Sequence, residues 1–345
     1  MSRFLQACRR QRVDRTPVWF MRQAGRSQPS YRALRARYSL LEICRDSSLV
    51  AEVTLSPVEQ LDVDAAILFA DITVPLLGMG VAFELQDRTG PRIRRPVRSA
   101  ADAEALHPFE PEATVEALLD AVRLIRRSAA VPLIGFAGGP FTLASYLIEG
   151  GPSREFLHTK ALMRGQRRVW EALMSLLTDA TITYLLAQIT RGAQAVQLFD
   201  SWVGALSPRE YAAFVAPHSR RIFEAVRPTG VPAIHFGTGT AGLLKEMASS
   251  GGDVIGVDWR VGLDAAWAQI GPDRAIQGNL DPSTLLAPPE VLRAEAEAVL
   301  AQAGGRPGHI FNLGHGVLPE TPPERLRELV EFVHDYRHET AGVRG

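Results

Sequence analysis

The chain has 345 residues, 46% apolar and 22% charged, with 38 Lys and Arg balanced by 38 Asp and Glu. That is apolar material enough for a sizeable core, which excludes a disordered chain, and the zero net charge argues against a general polyanion binder such as a nucleic-acid protein. The cysteines, Cys8 and Cys44, are too few for a disulfide framework or a four-cysteine zinc site.

The N-terminal stretch "MSRFLQACRRQRVDR" has no apolar segment of signal-peptide length and reads as a short amphipathic helix capped by Ser2. No later run is expected to reach membrane-spanning length, so a cytoplasmic protein without a membrane partner is expected. Short apolar runs then recur at residues 17–21, 65–69, 132–136, 195–199, 232–236, 253–257, 274–278 and 309–313. They hardly alternate in polarity, which suits strands buried on both faces of a parallel sheet. Between them, residues 47–61, 111–127, 153–190, 207–227, 283–303 and 322–338 carry helical spacing, with Pro57 inside one helix and Gly165 as a break in another. "VAFELQDRTGPRIRRPV" (81–97) alternates around a Thr-Gly turn and reads as a small β-hairpin inserted after the second strand.

Eight buried-type strands alternating with helices predict an α/β fold, a single-domain (β/α)8 TIM barrel over 1–345, with a doubly wound sheet as the competing topology. The barrel is favoured because each run leads at once into a distinctive cluster: RQAGR, ADIT, AGGPFT, DSW, GTGT, DW, NLD and GHG. Barrel strand ends all open on one face, where active sites lie.

Several clusters offer chemistry. Arg22 and Arg26 flank Gln23, Ala24 and Gly25, an arrangement that could clamp an anion or merely pair with surface carboxylates; Arg32, Arg35 and Arg37 follow closely. Asp71 ends a buried run and is either a carboxylate awaiting a cationic or N–H partner or a helix N-cap, whereas Asp62 and Asp64 read as loop residues. The glycine pair of AGGPFT matches no nucleotide-binding motif, and Pro140 removes a donor, so a phosphate cradle is disfavoured. Tyr146 is a core tyrosine or a ligand donor. Ser201 follows no nucleophile elbow, which argues against a serine hydrolase. His315 lies between two glycines after the last strand, a setting for a site residue. His334 and His338, four apart on the final helix, are expected to face solvent, and no zinc ligand set is apparent.

In order along the chain, "MRQAGR", "FADI", "GGPFTLASYLIEG", "QLFDSW", "QGNLDP" and "NLGHGVLPETPPE" closely resemble the uroporphyrinogen decarboxylase family. The resemblance runs from about residue 3 to about residue 338. It implies a single barrel, a homodimer, no metal or organic cofactor, and removal of carbon dioxide from the four acetates of uroporphyrinogen III to give coproporphyrinogen III. It further implies that the 22–26 segment (Arg22, Gln23, Ala24, Gly25, Arg26) and Arg35 hold substrate carboxylates, that Asp71 accepts the pyrrole N–H groups, and that Tyr146, Ser201 and His315 contact side chains. Asp71, Arg22 and His315 would be the catalytic set. The family has an aromatic after the second arginine and an acidic residue beside the proline; Ser27 and Ser30 stand near those places here. The rival readings are a zinc-dependent methyltransferase of the same barrel type and a non-catalytic tetrapyrrole carrier.

Overall fold

A computed structural model describes residues 2–86 and 90–337. Seven strands form one parallel sheet: β1 (Ala66–Ile67), β4 (Leu133–Gly138), β5 (Ala195–Phe199), β6 (Ala233–Phe236), β7 (Val254–Gly256), β8 (Ala275–Leu280) and β9 (His309–Leu313). β2 (Phe83–Gln86) and β3 (Gly90–Ile93) pair antiparallel as a separate ribbon, from Phe83 opposite Ile93 to Gln86 opposite Gly90. Thr89, half of the expected turn, lies outside the described residues, as does His338.

Within the large sheet every neighbour follows in chain order and runs parallel. A doubly wound sheet would reverse its order part-way; this one curls instead, as a TIM-like α/β barrel does. The run at 17–21 is the exception to strand geometry. It joins by a single bridge, Val18 to Phe311 on one edge, because its other edge is occupied by a side chain. The Val18 N–H donates to Asp64 Oδ2 at 2.8 Å while the Asp64 N–H donates to the Val18 carbonyl at 2.8 Å. A carboxylate stands where a strand's carbonyl would be.

Asp64 lies in a loop, as expected, but a buried one. It is 5% exposed and also accepts from Arg3 and from His334 Nε2, each at 2.8 Å. His334, expected to face solvent, is buried for the same reason. One carboxylate ties the N-terminal helix Arg3–Cys8, the 17–21 segment and the final helix Pro323–Asp335 together. Burial alone would raise the Asp64 pKa; hydrogen bonds from His334 and Arg3 outweigh it and hold the group below the ordinary carboxylate value.

The helices follow their sequence signals with two subdivisions. The 207–227 stretch splits at Val215 into Pro208–Phe214 and Ala216–Val226, the first closed by a Ser207–Glu210 capping box. The 283–303 stretch splits into a 3₁₀ turn and Pro289–Ala303. Helix Arg167–Arg191 corrects one expectation, since its length and composition would suffice to cross a bilayer, yet half of its apolar window is buried in the fold. Trp170, Leu177 and Tyr184 on it are at most 1% exposed. The buried apolar side chains form one contiguous cluster.

Candidate active site

A cavity of about 460 Å³ opens at the C-terminal ends of the strands, within the usual range for small-molecule sites. Its wall comes from the segments after 17–21, β1, β5 and β9, together with Tyr146 from helix Pro140–Glu149. Arg22, Ala24, Gly25, Arg26, Arg35, Asp71, Tyr146, Ser201 and His315 all line it.

Local chemistry explains why these groups converge. Asn312 Oδ1 accepts the Met21 N–H at 3.3 Å, and the Val317 N–H donates to the Met21 carbonyl at 2.8 Å. The loop carrying His315 and the loop carrying the arginines are thus stitched side by side. Gly316 permits that approach, for a Cβ there would fall 2.4 Å from Arg22 Cδ. Arg22 itself has φ +61°, a left-handed conformation that a non-glycine residue keeps only when its surroundings impose it. Arg22 makes no side-chain hydrogen bond or ion pair among the described residues, whereas Arg32 braces the loop by donating to the carbonyls of Arg26 and Ser27, each at 2.9 Å.

On the same cavity, Asp71 is held from behind: Thr73 donates its N–H (2.9 Å) and its hydroxyl to Asp71 Oδ1. Asp71 is therefore not the helix N-cap that the sequence allowed, a place taken by Thr73; it holds that residue through Oδ1, and among the described residues Oδ2 has no donor. Burial, with the Asp71 charge adding and Arg22 opposing, pushes the Tyr146 hydroxyl well above its ordinary value, so it stays protonated. Burial and then Arg22 push His315 down to about 4. Its imidazole is neutral at physiological pH and offers an N–H without a charge. The constellation is two arginines, a neutral histidine, a carboxylate and a phenol lining one cavity.

A family model described as uroporphyrinogen decarboxylase matches residues 1–336. The chain is 55% identical over 331 residues to the uroporphyrinogen decarboxylase of Thermus thermophilus, covering 96% of this chain and 97% of the relative. It is 52% identical over 334 residues to that of Carboxydothermus hydrogenoformans, covering 96% and 95%. The chain belongs to the uroporphyrinogen decarboxylase family. Among solved structures, a methyltransferase from Methanosarcina mazei superposes with a TM-score of 0.76 at 21% identity, over 96% of this chain and 97% of that one. At that identity the likeness speaks for the fold alone.

Of the residues that the resemblance implies for the substrate segment, one is placed differently from its neighbours. Gln23 is fully buried and does not line the cavity. Its Oε1 accepts the Phe20 N–H at 3.0 Å and its amide donates to the Ala65 carbonyl at 3.0 Å, so it pins the arginine loop to β1. The clusters GTGT, DW and NLD also stay off the wall. They stitch neighbouring loops: Asp258 accepts from the Gly239 N–H at 2.6 Å, and Asn279 donates to the carbonyls of Asp258 and Val261. Residue-by-residue reading missed Tyr31, Phe136 and Phe199 on the wall. The rings of Phe136 and Phe199 meet edge to face at 5.4 Å and give the polar rim an apolar floor. Each ends or follows an apolar run, where a phenylalanine reads as ordinary core. Among the described residues no group of three His, Cys, Asp or Glu side chains gathers as a metal site.

Proposed function

We propose that this chain decarboxylates the acetate side chains of uroporphyrinogen III to coproporphyrinogen III in tetrapyrrole biosynthesis, at the cavity bounded by Arg22 and Asp71. The observation that carries the reading is Asp71 Oδ2, a carboxylate oxygen without a donor among the described residues, lining one cavity together with arginines. A reduced tetrapyrrole has both matching halves: pyrrole N–H donors at its centre and carboxylates at its rim.

The chemistry follows from that match. Protonation of the ring carbon beside an acetate turns the pyrrole into an electron sink. The bond to the carboxylate then breaks, carbon dioxide departs and an exocyclic methylene remains; that carbon takes up a proton to become the methyl and the ring carbon gives its own proton back, for a net uptake of one proton per acetate. Positive charge develops on the pyrrole in between. A carboxylate already fixed by Thr73 opposes that charge without reorganising, and in a pocket with a phenylalanine floor its effect is larger than in water. Arg22, Arg26 and Arg35 hold rim carboxylates, while Tyr146, Ser201 and the neutral His315 position them. The substrate's own ring serves as the electron sink, which is why the proposal includes no metal or organic cofactor. One catalytic barrel over the whole chain, with the β2–β3 hairpin as its insert, working as a cytoplasmic homodimer, completes the reading that the family resemblance supports.

The test is anaerobic incubation of the purified protein with uroporphyrinogen, separating hepta- to tetracarboxylate products by chromatography. A ladder of products ending at the tetracarboxylate is expected; tight binding without any product would favour the carrier reading.

A further inference from the structure

The glycine pair of AGGPFT leads onto the first turn of the ten-residue helix Pro140–Glu149, whose leading N–H groups have no acceptors within the helix. An anion does lie against that turn, and it belongs to the chain. The Asp200 carboxylate is fully buried. A Cβ on Gly139 would stand 2.6 Å from its Oδ1, so only glycine leaves room for it. The Thr142 hydroxyl donates to Oδ1 at 3.5 Å. Oδ2 accepts no hydrogen bond and faces Nε2 of the equally buried His235 at 3.6 Å.

From here contacts lead to the cavity. Thr142 Oγ1 accepts the Trp202 N–H at 3.3 Å. The Trp202 ring lies against that of Tyr146, centroids 4.0 Å apart and planes 38° apart. Ser201, between Asp200 and Trp202, lines the cavity with Tyr146. A carboxylate buried with so few hydrogen bonds is costly. The helix dipole offsets part of that cost, and the result is a junction between β5 and the helix that presents Tyr146.

We propose that Asp200 is a positioning residue of the site: seated on the first turn of helix 140–149 and faced by His235, its carboxylate fixes Trp202 and, through the ring stack, the hydroxyl of Tyr146. Since this rests on Tyr146 acting on substrate, the test has one arm that needs no turnover. Near-ultraviolet circular dichroism reads the Tyr146–Trp202 stack as the signal that Trp202→Phe removes. Asp200→Asn should lose the same signal, and so should Thr142→Val, a milder change that decides the matter if Asp200→Asn does not fold. In the kinetic arm, either substitution should lower kcat/KM by roughly 10- to 100-fold in the otherwise native protein, as expected for a small misplacement of a site group. In a Tyr146→Phe background the same substitution should cost only about twofold, because the hydroxyl being positioned is already gone. An unchanged dichroism signal, or equal losses with and without the Tyr146 hydroxyl, overturns the proposal. If the native protein fails to turn over uroporphyrinogen, the functional reading falls while the dichroism arm still decides the positioning.

Discussion

The barrel carries a buried or half-buried aspartate cluster near each end, and the two are treated in opposite ways. Near the chain termini, Asp64 has three donors at 2.8 Å, from Val18, Arg3 and His334. At the mouth, Asp71 has one oxygen held by Thr73 and one left open, while Arg22 has no partner among the described residues. The first cluster closes a fold. The second leaves its charge interactions to be completed by something that arrives. That a fold can satisfy a carboxylate with three donors in one place and leaves one half-satisfied in another supports the second as the site of the proposed function.

The largest expected effects come from breaking each cluster at its aspartate. Asp64→Ala should cost about 3–5 kcal/mol, the range for removing one partner of a buried pair, read as a lower urea midpoint. Turnover per folded molecule should persist, and an inactive but stable variant would refute the division of roles. Asp71→Asn should do the reverse: turnover lower by about 10²–10³-fold, with stability within about 1 kcal/mol of the native protein. Near-native turnover would remove Asp71 from the mechanism.

Smaller effects sharpen the view of the mouth. Arg22→Ala should raise KM for uroporphyrinogen by about tenfold or more, the scale of one charge-assisted contact. Gly316→Ala should raise it by a few-fold, roughly 3- to 10-fold, because the added methyl displaces the Arg22 stem without removing its charge. An unchanged KM in Gly316→Ala would mean that Arg22 does not need its present position.

The same contrast explains what could be read from the sequence. The strands were legible because each is buried on both faces and so hardly alternates in polarity. The arginine loop, Asp71 and His315 were legible because a charged or titratable residue directly after such a run has few structural reasons to be there. Asp64 and His334 were not, since their partners lie 46 and 270 residues away, and spacing within a loop or helix carries no trace of them. The placement of Gln23 was not legible because it sits inside a motif whose neighbours line the cavity, while its own side chain is buried between the loop and the Ala65 carbonyl. The role of Asp200 was hidden for another reason. The glycine that accommodates it, Gly139, precedes it by some sixty residues, and nothing in the loop's own sequence names an internal carboxylate as its partner.

The subtlest difference between the two ends should appear in the acid limb of stability. Burial and Arg22 hold the His315 pKa near 4 against an ordinary value of 6.5. The unfolded chain therefore binds the proton first, and stability present above pH 6.5 is lost as pH falls from there towards 4. Asp64 has the depressed pKa of a paired carboxylate, so its contribution is complete above the unfolded carboxylate value of about 4 and is lost only below it. The windows hardly overlap. Urea midpoints of the native protein and His315→Gln, compared between pH 7.5 and 4.5, should diverge as the acid is added, by at most about 1.4 kcal/mol per pH unit. His218, also held low chiefly by burial, is common to both proteins and cancels. Parallel curves through that window would mean that His315 takes up its proton as readily in the folded protein as in water. The mouth would then not be the dry, arginine-facing setting that makes its histidine a neutral donor.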